Sequence, residues 1–268
     1  MIDTHVHLQD ERYERDLPAV LRRAREVGVT ALIIPGTHLA SSRKAVQLAD
    51  RYADGSPRLY AAVGVHPTEA QTLNDATFES LEDLAQSSHV VPIGEIGLAY
   101  YWPQIPNRGW ECADPEVQRR ALDRQLALAA DRGLPVIVHD RDAHEDTLHA
   151  IQSWTADDPD RCGTLHAYAA GVEHLPGVMD TGFYIGIDGP VTFEKAESIH
   201  QVARTVRIEH LLLETDGPYL TPVPHRGQRN EPAYLRHIAQ RIAEIKQIPV
   251  AALDEPTTRN AQTLFDLA

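Results

Sequence analysis

The chain has 268 residues, 43% of them hydrophobic, which suits one large core, and a single domain over residues 1–268 is expected. Two cysteines, Cys112 and Cys162, are too few to staple such a length and point to a reducing compartment, the cytoplasm. A formal net charge of −14 opposes a broad nucleic-acid-binding face, no apolar run is long enough for a membrane span, and with MIDTHVH at residue 1 no secretory leader is expected.

Eight short apolar runs follow one another along the chain: Ile2 to His7, Ala31 to Gly36, Leu59 to Val65, Val90 to Leu98, Pro135 to His139, Gly163 to His166, Phe183 to Ile187, and Leu211 to Thr215. Between them lie amphipathic stretches such as LPAVLRRAREVG, VQRRALDRQLALAADRG and PAYLRHIAQRIAEI, with apolar residues at three- and four-residue spacing. Eight strand-to-helix units predict an α/β fold, a single (β/α)8 TIM-type barrel. The rival doubly wound sheet lacks its glycine-rich phosphate fingerprint after the first strand. The Pro/Gly-rich segment Trp102 to Asp114 reads as a long loop.

Barrel chemistry gathers at the carboxyl ends of the strands, and there the polar residues are telling. His5 and His7, two apart on one strand, share a face and can bind one ion, although two solvated histidines would give the same pattern. Glu95 interrupts the apolar VVPIGEIGL, where a carboxylate needs a cation or a buried arginine, and its two oxygens can bridge two metals. His139 and His166 close two further runs, as ligands or as hydrogen-bonded core histidines. Asp216 ends LLLETD, where it can ligate a metal and take a proton from water, or cap a helix. Six such groups exceed what one catalytic ion needs. A pair of divalent ions, Mg, Mn or Zn, is expected, with Asp216 and Glu95 as the catalytic carboxylates.

The stretches IDTHVHL, GVHP, IGEIGLAYY, PVIVHDRDA, LHAYAAG, LLLETDGPYL, PVPHRGQRNEP and TTRNAQTLF run from residue 2 to residue 265. In that order they resemble the TatD-related metal-dependent hydrolases, a branch of the amidohydrolase-like barrels. The resemblance implies that His5 and His7 hold one metal with Asp216, that His139 and His166 hold the other, and that Glu95 bridges them. It also implies that His66, Arg141, Arg226 and Arg229 contact a phosphate-bearing substrate, a task suited to the arginine fork. The chain departs from the usual family pattern at Ala99, Ala170, Glu194 and His200, which carry less positive charge and hydrogen-bonding capacity.

The implied activity is phosphodiester hydrolysis of DNA from 3′ ends, with single strands or strand ends as partner, and with no membrane or obligatory protein partner. Tyr100, Tyr101 and Trp102 are candidates for stacking on a base, or for plain loop packing. The alternative reading keeps the metals and changes the substrate to a small ester, lactone, amide or aminoacyl ester. A third, non-catalytic metal-binding scaffold, would need only a closed set of four ligands.

Overall fold

The computed structural model describes residues 1–101 and 112–267. Eight parallel strands form one sheet in chain order: β1 (Ile2–Asp3), β2 (Ala31–Pro35), β3 (Arg58–Val63), β4 (Val90–Ala99), β5 (Val136–Arg141), β6 (Gly163–His166), β7 (Tyr184–Ile187) and β8 (Leu211–Leu213). The helices between and after them are α1 (Leu17–Glu26), α2 (Leu39–Arg51), α3 (Asp75–Leu84), α4 (Pro115–Arg132), α5 (His144–Ala156), α6 (Leu175–Met179), α7 (Glu197–Thr205), α8 (Leu235–Lys246) and α9 (Val250–Phe265). This is the TIM-type barrel that the alternation predicts.

The helices form for local reasons. In α1, Leu17, Val20, Leu21 and Ala24 are buried at three- and four-residue spacing, which puts them on one stripe. Asn74 caps α3 by accepting from the Thr77 amide at 3.0 Å. Leu32, Ile33 and Ile34 of β2 are fully buried, each contributing about 1.5–3 kcal/mol. Alternation splits them: Leu32 and Ile34 belong to the main core, whereas Ile33 packs with Ile137, Leu212 and the α9 residues Leu264 and Phe265.

Several strands differ from expectation at their ends. The run from Ile2 to His7 is a strand only as far as Asp3, because its later amides turn to different neighbours: Thr4 N to Leu213 O, Val6 N to Ile33 O, and His7 N to Gly217 O. His5 and His7 therefore stand on an irregular rim just beyond the strand. The same contacts, with a Val6–Gly217 bridge, sew β1 to β8 and close the sheet. β8 stops at Leu213 for the same reason, while β5 runs on to Arg141. Of the expected long loop, residues 102–111, including Trp102, lie outside the described residues; 112–114 lead into α4. No helix among the described residues is long and apolar enough to cross a membrane.

Candidate metal centre

Strand periodicity brings the polar residues inward. Ile137 and His139 share a face of β5, Thr164 and His166 a face of β6, and Leu212, Glu214 and Asp216 the same parity at the end of β8. β4 needs a different device. Its register against β5 slips by one residue between Ile93 and Ile96, a bulge that re-aims the Gly94–Glu95 segment. Gly97 follows at φ +138°, and a side chain there would strike the backbone of His139, so the two strands can approach only with glycine.

Glu95 is 3% exposed and its two oxygens face different partners. Oε2 lies 3.4 Å from His5 Nε2 and 3.9 Å from His7 Nε2. Oε1 lies 2.9 Å from His139 Nδ1, 3.5 Å from His66 Nε2 and 3.9 Å from His166 Nε2. Asp216 Oδ1 completes the first group, 3.3 Å from His7 Nε2 and 3.9 Å from His5 Nε2, while the two histidine nitrogens stand 3.3 Å apart. Ligand atoms held tetrahedrally at about 2.0–2.2 Å from an ion are themselves roughly 3.3–3.6 Å apart, so these spacings fit a cation among them. Three sets could hold an ion: His5, His7 and Asp216; His5, His166 and Glu214; and His66, Glu95 and His139. The buried His5 Nδ1 and His139 Nε2 have no hydrogen-bond partner among the described residues, as expected of groups shaped for something besides one another.

All six residues that sequence reasoning singles out as metal ligands thus meet at one rim, but their grouping differs from the expected one. The resemblance pairs His139 with His166; their ring centroids are 6.3 Å apart, whereas His139 lies 4.4 Å from His66 and His166 stacks on His5 at 3.4 Å. His66, expected at the substrate, stands among the ligand-capable groups.

Glu214 and Asp3 were missed. Glu214 is fully buried with Oε1 3.0 Å from His166 Nδ1, which leaves His166 Nε2 facing Glu95 and Asp216. Its signal was parity, since it lies two residues before Asp216. Asp3 accepts hydrogen bonds from Thr215 Oγ1 at 2.6 Å and Thr215 N at 2.9 Å. It ties the two ends of the rim together.

The electrostatics follow from acids buried among imidazoles. Burial raises the Glu95 pKa, but the charges of His66 and His5 and the hydrogen bond from His139 outweigh it and hold the carboxyl well below its usual range. For Asp216 too, burial is overcome by the His7 hydrogen bond and the His166 charge. Burial lowers His166, yet the adjacent Glu214 carboxylate carries it up to about 10, while burial, joined by the charges of His139, His7 and His166, takes His66 down to about 3 against the pull of Glu95. Burial also lifts Asp3 to about 8.

The centre opens into a cavity of about 560 Å³ lined by His7, His66, Glu95, His139, His166 and Asp216, with Gln9, His38, Lys44 and Tyr219 around it. The arginines expected at the substrate do not line it. Arg229 is clamped on Asp16 at 2.7 and 2.9 Å and also donates to Arg12 O, contacts that hold the fold together. Arg226 lies over the Phe193 ring at 4.0 Å, and Arg141 over Tyr101 at 5.1 Å, both exposed. Tyr100 is tied by its hydroxyl to Asp146 and Arg119, so it serves packing of the outer face. Ala99, Ala170 and His200 are buried and Glu194 is exposed, and none of the four lines the cavity.

A family model described as TatD related DNase matches residues 2–266. Over 265 residues the chain is 34% identical to the uncharacterized metal-dependent hydrolase YabD of Bacillus subtilis, covering 99% of this chain and 98% of that protein. Over 274 residues it is 36% identical to the 3′-5′ ssDNA/RNA exonuclease TatD of Escherichia coli K12, with both chains fully covered. The crystal structure of YJJV, a TatD homolog from Escherichia coli, superposes with a TM-score of 0.89 at 28% identity, covering 100% of this chain and 98% of that one.

Proposed function

Because this chain belongs to the TatD-related DNase family of metal-dependent hydrolases, we propose that it is a phosphodiesterase degrading DNA from 3′ ends, single strands or strand ends being the substrate. The observation that carries the reading is Glu95, whose two oxygens face two separate sets of ring nitrogens 2.9–3.9 Å away. We assign two divalent ions, Mg, Mn or Zn, to this centre. His5, His7 and Asp216 hold one. His139 would hold the other together with Glu95, with His66 and His166 standing 3.5 and 3.9 Å from the same Glu95 oxygen.

Such ions, when bound, polarise a phosphoryl oxygen and lower the pKa of a water. The protein supplies the rest. Asp216 stands at the cavity wall with its carboxylate deprotonated at neutral pH, placed to orient the attacking water and accept its proton. Glu95, ionised and walled in by five imidazoles, fixes the spacing between the two halves of the centre. Glu214 holds His166 by Nδ1 so that Nε2 keeps its aim. The chain works as one catalytic unit, and its two half-buried free cysteines suit a cytoplasmic address.

The test is a 3′-labelled single-stranded DNA incubated with the protein and Mg²⁺ or Mn²⁺. Asp216→Asn is expected to lower kcat by about 10²–10⁴-fold. No degradation by either protein, with turnover of a lactone or small ester instead, overturns the nuclease reading and leaves the metal hydrolase.

A further inference from the structure

The loop after β8 holds Tyr219, Leu220 and Val223, the large apolar side chains most exposed among the described residues, at 47%, 42% and 44%. Water penalises such a patch, and one this local, at the lip of a catalytic cavity, is a place for a ligand. Tyr219 lines the same cavity as His7 and Asp216, and its ring meets His7 edge-on with centroids 5.8 Å apart. Above the ring lies the guanidinium of Arg12, 4.4 Å from the centroid. That guanidinium is locked in turn, because Nε and Nη2 each reach an oxygen of Asp10 at 2.8 Å. Leu220 sits at φ +48°, where a leucine is strained, and its carbonyl fills the space a side chain on Gly189 would take. The loop is therefore propped from beneath with its apolar side chains turned outward.

We propose that the Arg12–Tyr219 stack is the platform on which the base of the 3′-terminal nucleotide rests. The proposal builds on the phosphodiesterase reading above and adds the feature of the substrate that this rim recognises. Both an aromatic ring and a guanidinium plane stack on any base, since each base has a π-face, so the site reads flatness and not sequence. A base inside a duplex already has both faces covered by its neighbours. A terminal base has a free face, so the platform takes strand ends. With Arg12 neutralised by Asp10, the attraction is stacking and not net charge. The competing occupant is the apolar acyl part of a small ester.

The experiment compares two 3′-labelled oligonucleotides with the metal-loaded protein, one ordinary and one ending in an abasic residue. On the ordinary strand Tyr219→Ala is expected to raise KM about tenfold, the size of one base stacked on an aromatic ring, with kcat little changed. On the abasic strand it should match wild type, and Tyr219→Phe should behave as wild type on both. A second readout needs no turnover: with a chelator present, a 3′-terminal 2-aminopurine strand should lose fluorescence on wild type and Tyr219→Phe but not on Tyr219→Ala. Equal KM for wild type and Tyr219→Ala on the ordinary strand, or undiminished quenching by Tyr219→Ala, overturns the platform and leaves the nuclease reading intact. Loss confined to an ester with an apolar acyl group, with DNA turnover unchanged, moves the patch to that acyl group and overturns it too. If wild type leaves both strands whole, the nuclease reading fails and the platform falls with it.

Discussion

Two clusters of acids sit near the mouth of this barrel and solve the same problem in opposite ways. In one, Arg229 grips Asp16 at 2.7 and 2.9 Å, and Arg23 grips Glu231 at 2.7 and 2.6 Å. Permanent cations stand against the acids, and the cluster is complete in itself. In the other, Glu95, Glu214 and Asp216 face five histidines, and among the described residues no arginine or lysine pairs with any of the three. Burial, helped by the charges of neighbouring imidazoles, depresses His5 and His66, so these rings do not supply a permanent positive charge. The first cluster needs nothing from solution. The second is short of positive charge, and a divalent ion supplies it.

That contrast can be sharpened by removing the cation from each cluster in turn. Chelation should strip the second cluster and lower unfolding free energy by about 2.7 kcal/mol relative to protein with free metal at roughly a hundred times its Kd, read by denaturant titration with and without chelator. Equal stability in both conditions would break the comparison. In the first cluster, Arg229→Met removes a resident cation and is expected to cost about 1–3 kcal/mol while leaving kcat and KM unchanged. A rise in KM would return Arg229 to the substrate.

The smallest effect belongs to a mixed case, His144, whose Nδ1 lies 2.7 Å from Asp140 Oδ2. That hydrogen bond raises the imidazole above its ordinary 6.5. Its stabilisation is therefore complete below 6.5 and fades as pH climbs through the raised value. His144→Ala should cost up to about 0.5–1 kcal/mol near pH 5 and close to nothing near pH 9, in paired urea titrations. A penalty independent of pH would show that packing, and not charge, holds His144.

The two clusters also show what sequence can and cannot tell. Eight apolar runs make the barrel legible because each strand's burial is written locally. Glu95, His139 and His166 stand out because a polar group inside or closing an apolar run contradicts its surroundings. Glu214 does not stand out although it shares the parity of Asp216, because its partner His166 lies on a different strand and nothing in LLLETD points to it. The role of Arg229 is not local at all. The family resemblance implies a phosphate grip in its loop HRGQRN, whose composition reads as a solvated loop, but the acid that captures Arg229, Asp16, is 213 positions earlier. The same holds for His5 and His7, whose rim departs from a regular strand because its amides are shared between β2 and the segment after β8.

The seam between Asp3 and Thr215 has a consequence for how the protein comes to life on the ribosome. Groups contributed within the first seven residues can meet Asp216 only after some two hundred intervening residues have been synthesised and the last strand has docked against the first. Ion capture by the His5, His7 and Asp216 set is thus deferred until the ring is shut. A nascent chain stalled before that strand lacks Asp216, and its His5 and His7 wait without the carboxylate that completes their set.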